Sequence, residues 1–327
     1  MTAPRFSVVI PAYNAAATIE SSIRSVLLQT VDDFEIVVVD DGSIDETAAA
    51  VGRITDRRVT LLRQENSGPS AARNLGIERT HGEFVCPLDA DDLLLPGYLE
   101  TMGSALARAE RAGFAYTDAW VLDASSGRIG RASVMSTQRP PEIAPLDPRA
   151  FTNVLLDRNF VFCCSLIRRT VLEDVGGYAV EISRSEDYEL WLRIVANGYS
   201  AVQVGGRLAV YRAGQTESNS SDPLKMIRAA MHVYERAAST YPLDDELRAQ
   251  ALAQRERYRR REERLLAASR GGWHGRVEGA VRRVARPFVR PWRWHRRMPA
   301  EVRQVLESTV SPNPPPGSPP AANTMDA

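Results

Sequence analysis

Between Phe6 and Asp92 the chain alternates short apolar runs with amphipathic stretches, and most of the runs stop at a polar or acidic turn. Residues 7–11, 35–40, 59–62 and 83–88 read as strands, rich in β-branched side chains and apolar on both faces. Between them, residues 18–29 place Ile19, Ile23, Val26 and Leu27 on one helical face, 45–54 follow the turn Asp41-Gly42-Ser43 as a helix, and 69–79 form a helix opened by Pro69. Strands buried on both faces and separated by helices predict an α/β fold with a mostly parallel central sheet covered on two sides. Ligands bind such sheets at the carboxyl ends of the strands. One crevice should therefore collect Tyr13 and Asn14, Asp40 and Asp41, and Asp89, Asp91 and Asp92.

The run Leu88-Asp89-Ala90-Asp91-Asp92 sets three carboxylates immediately after an apolar strand. Such crowding is unfavourable unless water or a cation compensates it, and hard divalent cations prefer oxygen ligands. The competing reading is a solvated turn that caps the helix beginning near Pro96. Asp40-Asp41-Gly42-Ser43 is a second acidic strand end, where an aspartate can accept a hydrogen bond from the imide N–H of a uracil-like base, or can simply cap the helix that follows.

Downstream, residues 125–146 read as a long loop of the kind that serves as a binding loop or lid. Residues 184–197 form a helix closed by Gly198, and 201–211 a strand. After Asp222 the composition turns to arginine-rich helix, and the proline-rich end is expected to be disordered. The chain therefore divides into a catalytic domain over residues 1–222, a basic helical extension over 223–300 and a disordered tail over 301–327.

Lys225 is the only lysine, so chemistry that needs a reactive lysine in the first domain is excluded. The three cysteines lack zinc or disulfide spacing, and no apolar run reaches membrane-spanning length, so a cytoplasmic location is expected. The first strand is followed by Pro-Ala-Tyr-Asn rather than a glycine-rich phosphate turn, which argues against a dehydrogenase. A lysine-containing, glycine-rich start typical of sugar-nucleotide pyrophosphorylases is also missing.

Five segments together resemble the family 2 glycosyltransferases: Val9-Ile-Pro-Ala-Tyr-Asn14, Val39-Asp-Asp-Gly-Ser43, Asn66-Ser-Gly-Pro-Ser-Ala-Ala-Arg-Asn-Leu-Gly76, Asp89-Ala-Asp-Asp92 and Glu186-Asp187. The resemblance runs from about residue 6 to 213. It implies a GT-A fold, with a Rossmann-like nucleotide-binding half, a nucleotide-diphosphate-sugar donor, a Mg²⁺ or Mn²⁺ ion and inversion at the anomeric carbon. Carried onto this chain, Pro11, Tyr13 and Asp41 would contact the base with Asp40 beside them, Arg73 would line the nucleotide, Asp89 would approach the ribose, and Asp91 would bind the metal. Asp187 would be the general base. Its place in a first helical turn favours the ionised carboxylate that a base requires.

Asp92, Glu186, Trp191 and Arg212 are further candidates for donor or acceptor contact. Trp191 lies one turn after Asp187 and reads equally as a sugar-stacking ring or a core tryptophan. Relatives often carry a histidine shortly after the Tyr211-Arg212 pair, whereas this chain has none there, which would leave Arg212 as the main cation of that segment.

The expected partners are a nucleotide-diphosphate-sugar, UDP-sugars favoured, and a glycan or lipid-linked acceptor in polysaccharide or glycoconjugate assembly. Residues 255–297 carry fifteen arginines against four glutamates, with Trp292 and Trp294 among them. Three readings stay open for this segment: peripheral attachment to an anionic membrane surface, packing against the catalytic domain, and non-specific attraction to nucleic acid. No specific nucleic-acid partner is expected. A sugar- or lipid-binding scaffold without activity is the alternative from another functional class.

Overall fold

The computed structural model describes residues 3–130, 133–135, 147–161, 164–214, 222–270 and 298–309. β1 (Phe6–Ala12), β2 (Phe34–Asp40), β3 (Val59–Arg63) and β4 (Phe84–Pro87) pair in parallel in the order β3-β2-β1-β4. Their connections include α1 (Ile19–Leu27), α2 (Thr47–Gly52) and α3 (Pro69–Glu78). Alternate residues of β1 serve opposite faces: Phe6, Val8 and Ile10 join the core shared with α1, while Val9 joins the core on the other face. Gly76 explains how closely α3 lies on the sheet, because a Cβ there would stand 2.4 Å from Val9 Cγ1.

The sheet continues differently from the sequence expectation. β5 (Leu93–Leu94), α4 (Tyr98–Arg108) and β6 (Ala112–Asp123) are followed by α5 (Pro148–Asp157), β7 (Leu166–Arg168), α6 (Arg169–Val175), α7 (Glu186–Ala196) and β8 (Ser200–Ala213). The full order is β3-β2-β1-β4-β7-β6-β8-β5, in which β7 runs antiparallel to both β4 and β6, and β5 antiparallel to β8. The parallel reading thus holds for the four amino-terminal strands and for β6 with β8, and the sheet as a whole is mixed.

Two long helices follow, α8 (Pro223–Thr240) and α9 (Asp245–Arg270). Val233, Tyr234, Ala237, Leu247 and Ala251 are buried in the same core as Phe114, Leu155 and Trp191. Residues beyond 222 therefore share the catalytic domain's interior instead of standing apart from it. Within α9, Arg259 and Arg260 pair with Glu256, and Arg255 reaches Glu235 on α8. The packed reading thus accounts for the first part of the basic segment.

The chain is also helical over α10 (Ala300–Thr309), where a disordered tail was expected from residue 301. Val302 and Val305 are fully buried beside Leu93, Leu122 and Val210, and burial of these valines outweighs the local polar composition. Most of the 125–146 loop, the 215–221 segment that lacks the histidine, Cys163, residues 271–297 and residues 310–327 lie outside the described residues.

Candidate active site

The four parallel strands end on one edge, where Asn14 after β1 accepts from the Ile44 backbone N–H after β2 at 3.0 Å. β1 delivers Pro11 and then Tyr13, which is 52% exposed. β2 delivers Asp40 and Asp41, whose own carboxylates are largely committed to the protein. Asp40 is fully buried, accepts from the Ser43 backbone N–H at 3.0 Å and pairs with Arg63 at 3.1 Å. It is a strut of the turn that follows β2.

Asp41 accepts from the Gln64 amide at 2.7 Å and from the backbone N–H groups of Ser67 and Gly68 at 2.8 and 2.9 Å. A carboxylate offers about four acceptor positions, so the loop 64–68 takes most of what Asp41 has. Gly42 completes this wall at φ +75, where a Cβ would also stand 2.9 Å from the Asn66 nitrogen.

After β4 the chain turns through Asp89, Asp91 and Asp92, whose ligand oxygens lie within 4.8 Å of one another. Burial, and next the charge of Asp89, push the Asp91 carboxyl up to about 6. Burial and the neighbouring acids also raise the fully buried Asp92 well above the usual carboxylate range. Three clustered carboxyl groups, with Asp91 and Asp92 pushed toward the protonated form, suit a hard divalent cation, whose charge would replace those protons.

Asp92 accepts from the Arg212 backbone N–H at 3.0 Å. Being enclosed, it forms a wall of the acidic cluster and ties it to β8. The Arg212 guanidinium donates to Ser21 at 2.7 Å, and its Nε finds no acceptor among the described residues. Burial lowers its pKa while Asp92 and Asp91 raise it.

Arg73 joins the two acidic regions. From α3 its side chain donates to Asp89 at 2.6 Å and to Glu186 at 2.7 Å, and it lies over the Tyr178 ring at 5.2 Å. One oxygen of Glu186, Oε1, is thus committed to Arg73. Asn74, one residue on, exchanges two hydrogen bonds with the backbone of Tyr178, and Ser70 donates to the Ile182 carbonyl. α3 thereby carries the whole loop that leads into α7.

Asp187 stands in the first turn of α7, after Ser185, whose φ of 59 is unusual for a residue other than glycine. Burial, then the charge of Glu186, push the Asp187 carboxyl up to about 7, while the Tyr188 N–H and Arg73 pull it down. This is the range in which a carboxylate both ionises at neutral pH and takes a proton readily. Trp191, by contrast, is fully buried with its ring 4.7 Å from that of Phe114. It is a core residue, because helical spacing from Asp187 turns it into the packed face.

Residues without a marked motif hold α7 in place. Glu189, fully buried, accepts from Arg193 and Arg236 at 3.0 Å each and from Tyr241. Arg193 in turn donates to the carbonyls of Val175, Gly176 and Gly177. Only the Glu189–Arg193 spacing of four was visible in the sequence.

Residues 7–176 match the family described as Glycosyl transferase family 2. The chain belongs to that family. The enzyme is 31% identical over 218 residues to UDP-Glc:alpha-D-GlcNAc-diphosphoundecaprenol beta-1,3-glucosyltransferase WfgD of Escherichia coli, covering 66% of this chain and 79% of that protein. It is 35% identical over 213 residues to the succinoglycan biosynthesis protein ExoO of Rhizobium meliloti, covering 63% of this chain and 58% of that one.

Among solved structures it resembles S. aureus TarS 1-349 in complex with UDP-GlcNAc, at TM-score 0.63 and 19% identity over 87% of this chain and 82% of that chain. It also resembles the mannosyltransferase PcManGT from Pyrobaculum calidifontis in complex with GDP-Man and Mn2+, at TM-score 0.54 and 21% identity over 88% and 81%. These likenesses identify the fold of the glycosyltransferase as GT-A.

Proposed function

We propose that the enzyme moves a hexosyl group from a UDP-sugar to a hydroxyl of a glycan or lipid-linked acceptor, with inversion, in assembly of a surface polysaccharide or glycoconjugate. The observation that carries this reading is the Arg73 bridge, which sets the Asp89–Asp91–Asp92 cluster and the Glu186–Asp187 turn on one crevice. The UDP-linked donor in the name of WfgD and the UDP-GlcNAc bound to TarS support the choice of nucleotide.

Tyr13 offers an exposed ring to the base, and Pro11 and Asp41 build the wall beside it. Asp91, with Asp89, would hold a Mg²⁺ or Mn²⁺ ion, which when bound neutralises the diphosphate as it leaves. Asp187 accepts the proton of the acceptor hydroxyl as its oxygen attacks the anomeric carbon. Arg73 holds Glu186 in an ion pair at 2.7 Å and so steadies the turn that presents Asp187. Arg212 adds positive charge on the side of the acidic cluster.

Attachment to the inner face of a membrane belongs to the same reading. α9 packs on α8 and pairs Arg255, Arg259 and Arg260 with glutamates, which leaves the other arginines of residues 255–297 for the proposed surface. No helix among the described residues is long and apolar enough to cross a membrane.

Nucleotide release from a panel of UDP-, GDP- and dTDP-sugars with Mn²⁺ tests the proposal. Release from a UDP-sugar, increased by a lipid-linked or glycan acceptor, is expected. Silence with every donor, with and without acceptor, would mark the chain as a binding scaffold instead.

A further inference from the structure

A cavity of about 240 Å³ opens between the loop leading into α7 and the first turns of α8. Ile182, Ser183 and Arg184 form one wall, and Lys225, Arg228 and His232 the other. Spacings of three, four and seven residues put the latter three on one face of α8. The opposite face, with Ile227, Ala230, Val233 and Tyr234, is buried, and this fixes the direction in which the basic face points.

The lining sets the cationic side chains of Arg184, Lys225 and Arg228, with Ser183 and His232, beside the apolar Ile182 and Ala229. Among the described residues it includes no acidic side chain and no Phe, Tyr or Trp ring, and it contains the chain's only lysine. Lys225 stands 3.9 Å from Asp222, and Arg228 donates its Nε to Glu262 at 2.6 Å. Both carboxylates lie outside the lining, and a guanidinium has further N–H donors on its other edge. The amino-terminal turn of α8 is capped by the Asp222 carboxylate, which accepts from the Leu224 and Lys225 N–H groups, so the positive charge of the cavity comes from its side chains. A neutral sugar would call for a ring to stack on and for acceptors as well as donors. A phosphate group needs donors alone.

Position identifies the occupant. Arg184 precedes Asp187 by three residues, so at most about 10 Å of chain separates them. The donor diphosphate belongs at the Asp89–Asp91 cluster, on the other side of Arg73.

We propose that this cavity holds the phosphate or diphosphate of the acceptor, which makes the acceptor a sugar phosphoester whose free hydroxyl reaches Asp187. The inference rests on the reading of Asp187 as the base and names the acceptor class for that site. Arg184, Lys225, Arg228 and His232 grip the anionic end. The sugar ring spans the gap to the carboxylate.

Calorimetric titration of inorganic pyrophosphate into the full chain, in metal-free buffer, tests the site without turnover. Saturable, salt-sensitive binding is expected, weakened at least tenfold in the Lys225→Gln/Arg228→Gln double variant and largely kept by Arg228→Lys. Both side chains are well exposed, at 61% and 57%, so the variants should fold. Absent binding, or equal affinity in the double variant, overturns the proposal.

In competition, the octyl ester of N-acetylglucosamine 1-diphosphate should displace pyrophosphate, whereas the neutral octyl glycoside and phosphatidylglycerol vesicles should not. Displacement by the neutral glycoside would show a site blind to phosphate. Stronger displacement by vesicles would assign the cavity to membrane headgroups, and either result rejects an acceptor-phosphate site. Failure of every donor to turn over would remove the proposed function while leaving the pyrophosphate result standing.

Discussion

Arg73 Nη1 lies 2.7 Å from Glu186 Oε1, across 113 residues of sequence, while its other terminal nitrogen holds Asp89 at 2.6 Å. One guanidinium thus couples the strand end that gathers the acidic cluster to the helix turn that presents Asp187. Arginine suits the place because its rigid fork can serve two carboxylates at once.

Removing that fork should cost both stability and rate. Arg73→Ala leaves Glu186 and Asp89 without their cation and is expected to destabilise the fold by about 3–5 kcal/mol, measured by urea denaturation. Arg73→Lys keeps one charge but cannot bridge both acids. It should stay folded and lose at least about tenfold in kcat/KM, roughly 1.4 kcal/mol of transition-state stabilisation; wild-type turnover in this variant would show that the bridge does not position the base.

Asp187→Asn should retain donor binding and lower turnover by at least about 100-fold. In the wild type kcat/KM should fall as pH drops below about 7, since burial and Glu186 raise the carboxyl to that value and only the ionised form accepts a proton. A pH-independent rate between 5 and 8 would remove Asp187 from the mechanism.

The same raised carboxyl has a signature in stability. A folded-state value above the unfolded one means that the group's contribution is complete below about 4 and is lost as pH rises through about 7. Asp187→Asn should therefore be more stable than the wild type at pH 8 by roughly 1–2 kcal/mol, a figure reduced for partial solvent access. The difference should close near pH 4. A destabilised Asn variant at pH 8 contradicts the assignment.

Asp91 offers a test that is independent of rate. Mn²⁺ should raise the thermal midpoint of the wild type, because an ion that binds only the folded state stabilises it by about 2.7 kcal/mol at a hundredfold excess over Kd. Asp91→Ala should abolish that shift and weaken Mn²⁺-dependent donor binding in calorimetry. An unchanged shift would place the ion elsewhere.

Trp191→Phe should lower stability by about 1–3 kcal/mol through lost core packing, with some relief because the buried indole N–H has no partner among the described residues. The acceptor KM should not move. A rise in KM without loss of stability would return the ring to the sugar site.

Much of the site was legible because its signals are local. Strand periodicity and the acidic turns after β1, β2 and β4 lie within a few residues of one another, and the topology of parallel strands then places them on a common edge. β6 was not singled out, since Ala112-Gly-Phe-Ala lacks the β-branched run that marks β2. α10 was missed because its composition is polar and only docking on Leu93 and Val210 makes it a helix.

By itself the sequence determined the α/β class, the acidic strand ends and the family, because each depends on side-chain pattern over a short span. The tertiary structure decided how those residues are used. Asp40, Asp92 and Glu186 became supports, and Trp191 a core residue. Arg73 became the link between two distant acids, and α8 and α9 became part of the catalytic core. Burial and ion pairing are properties of neighbours in space, and neighbours separated by 113 residues leave no mark on either local segment.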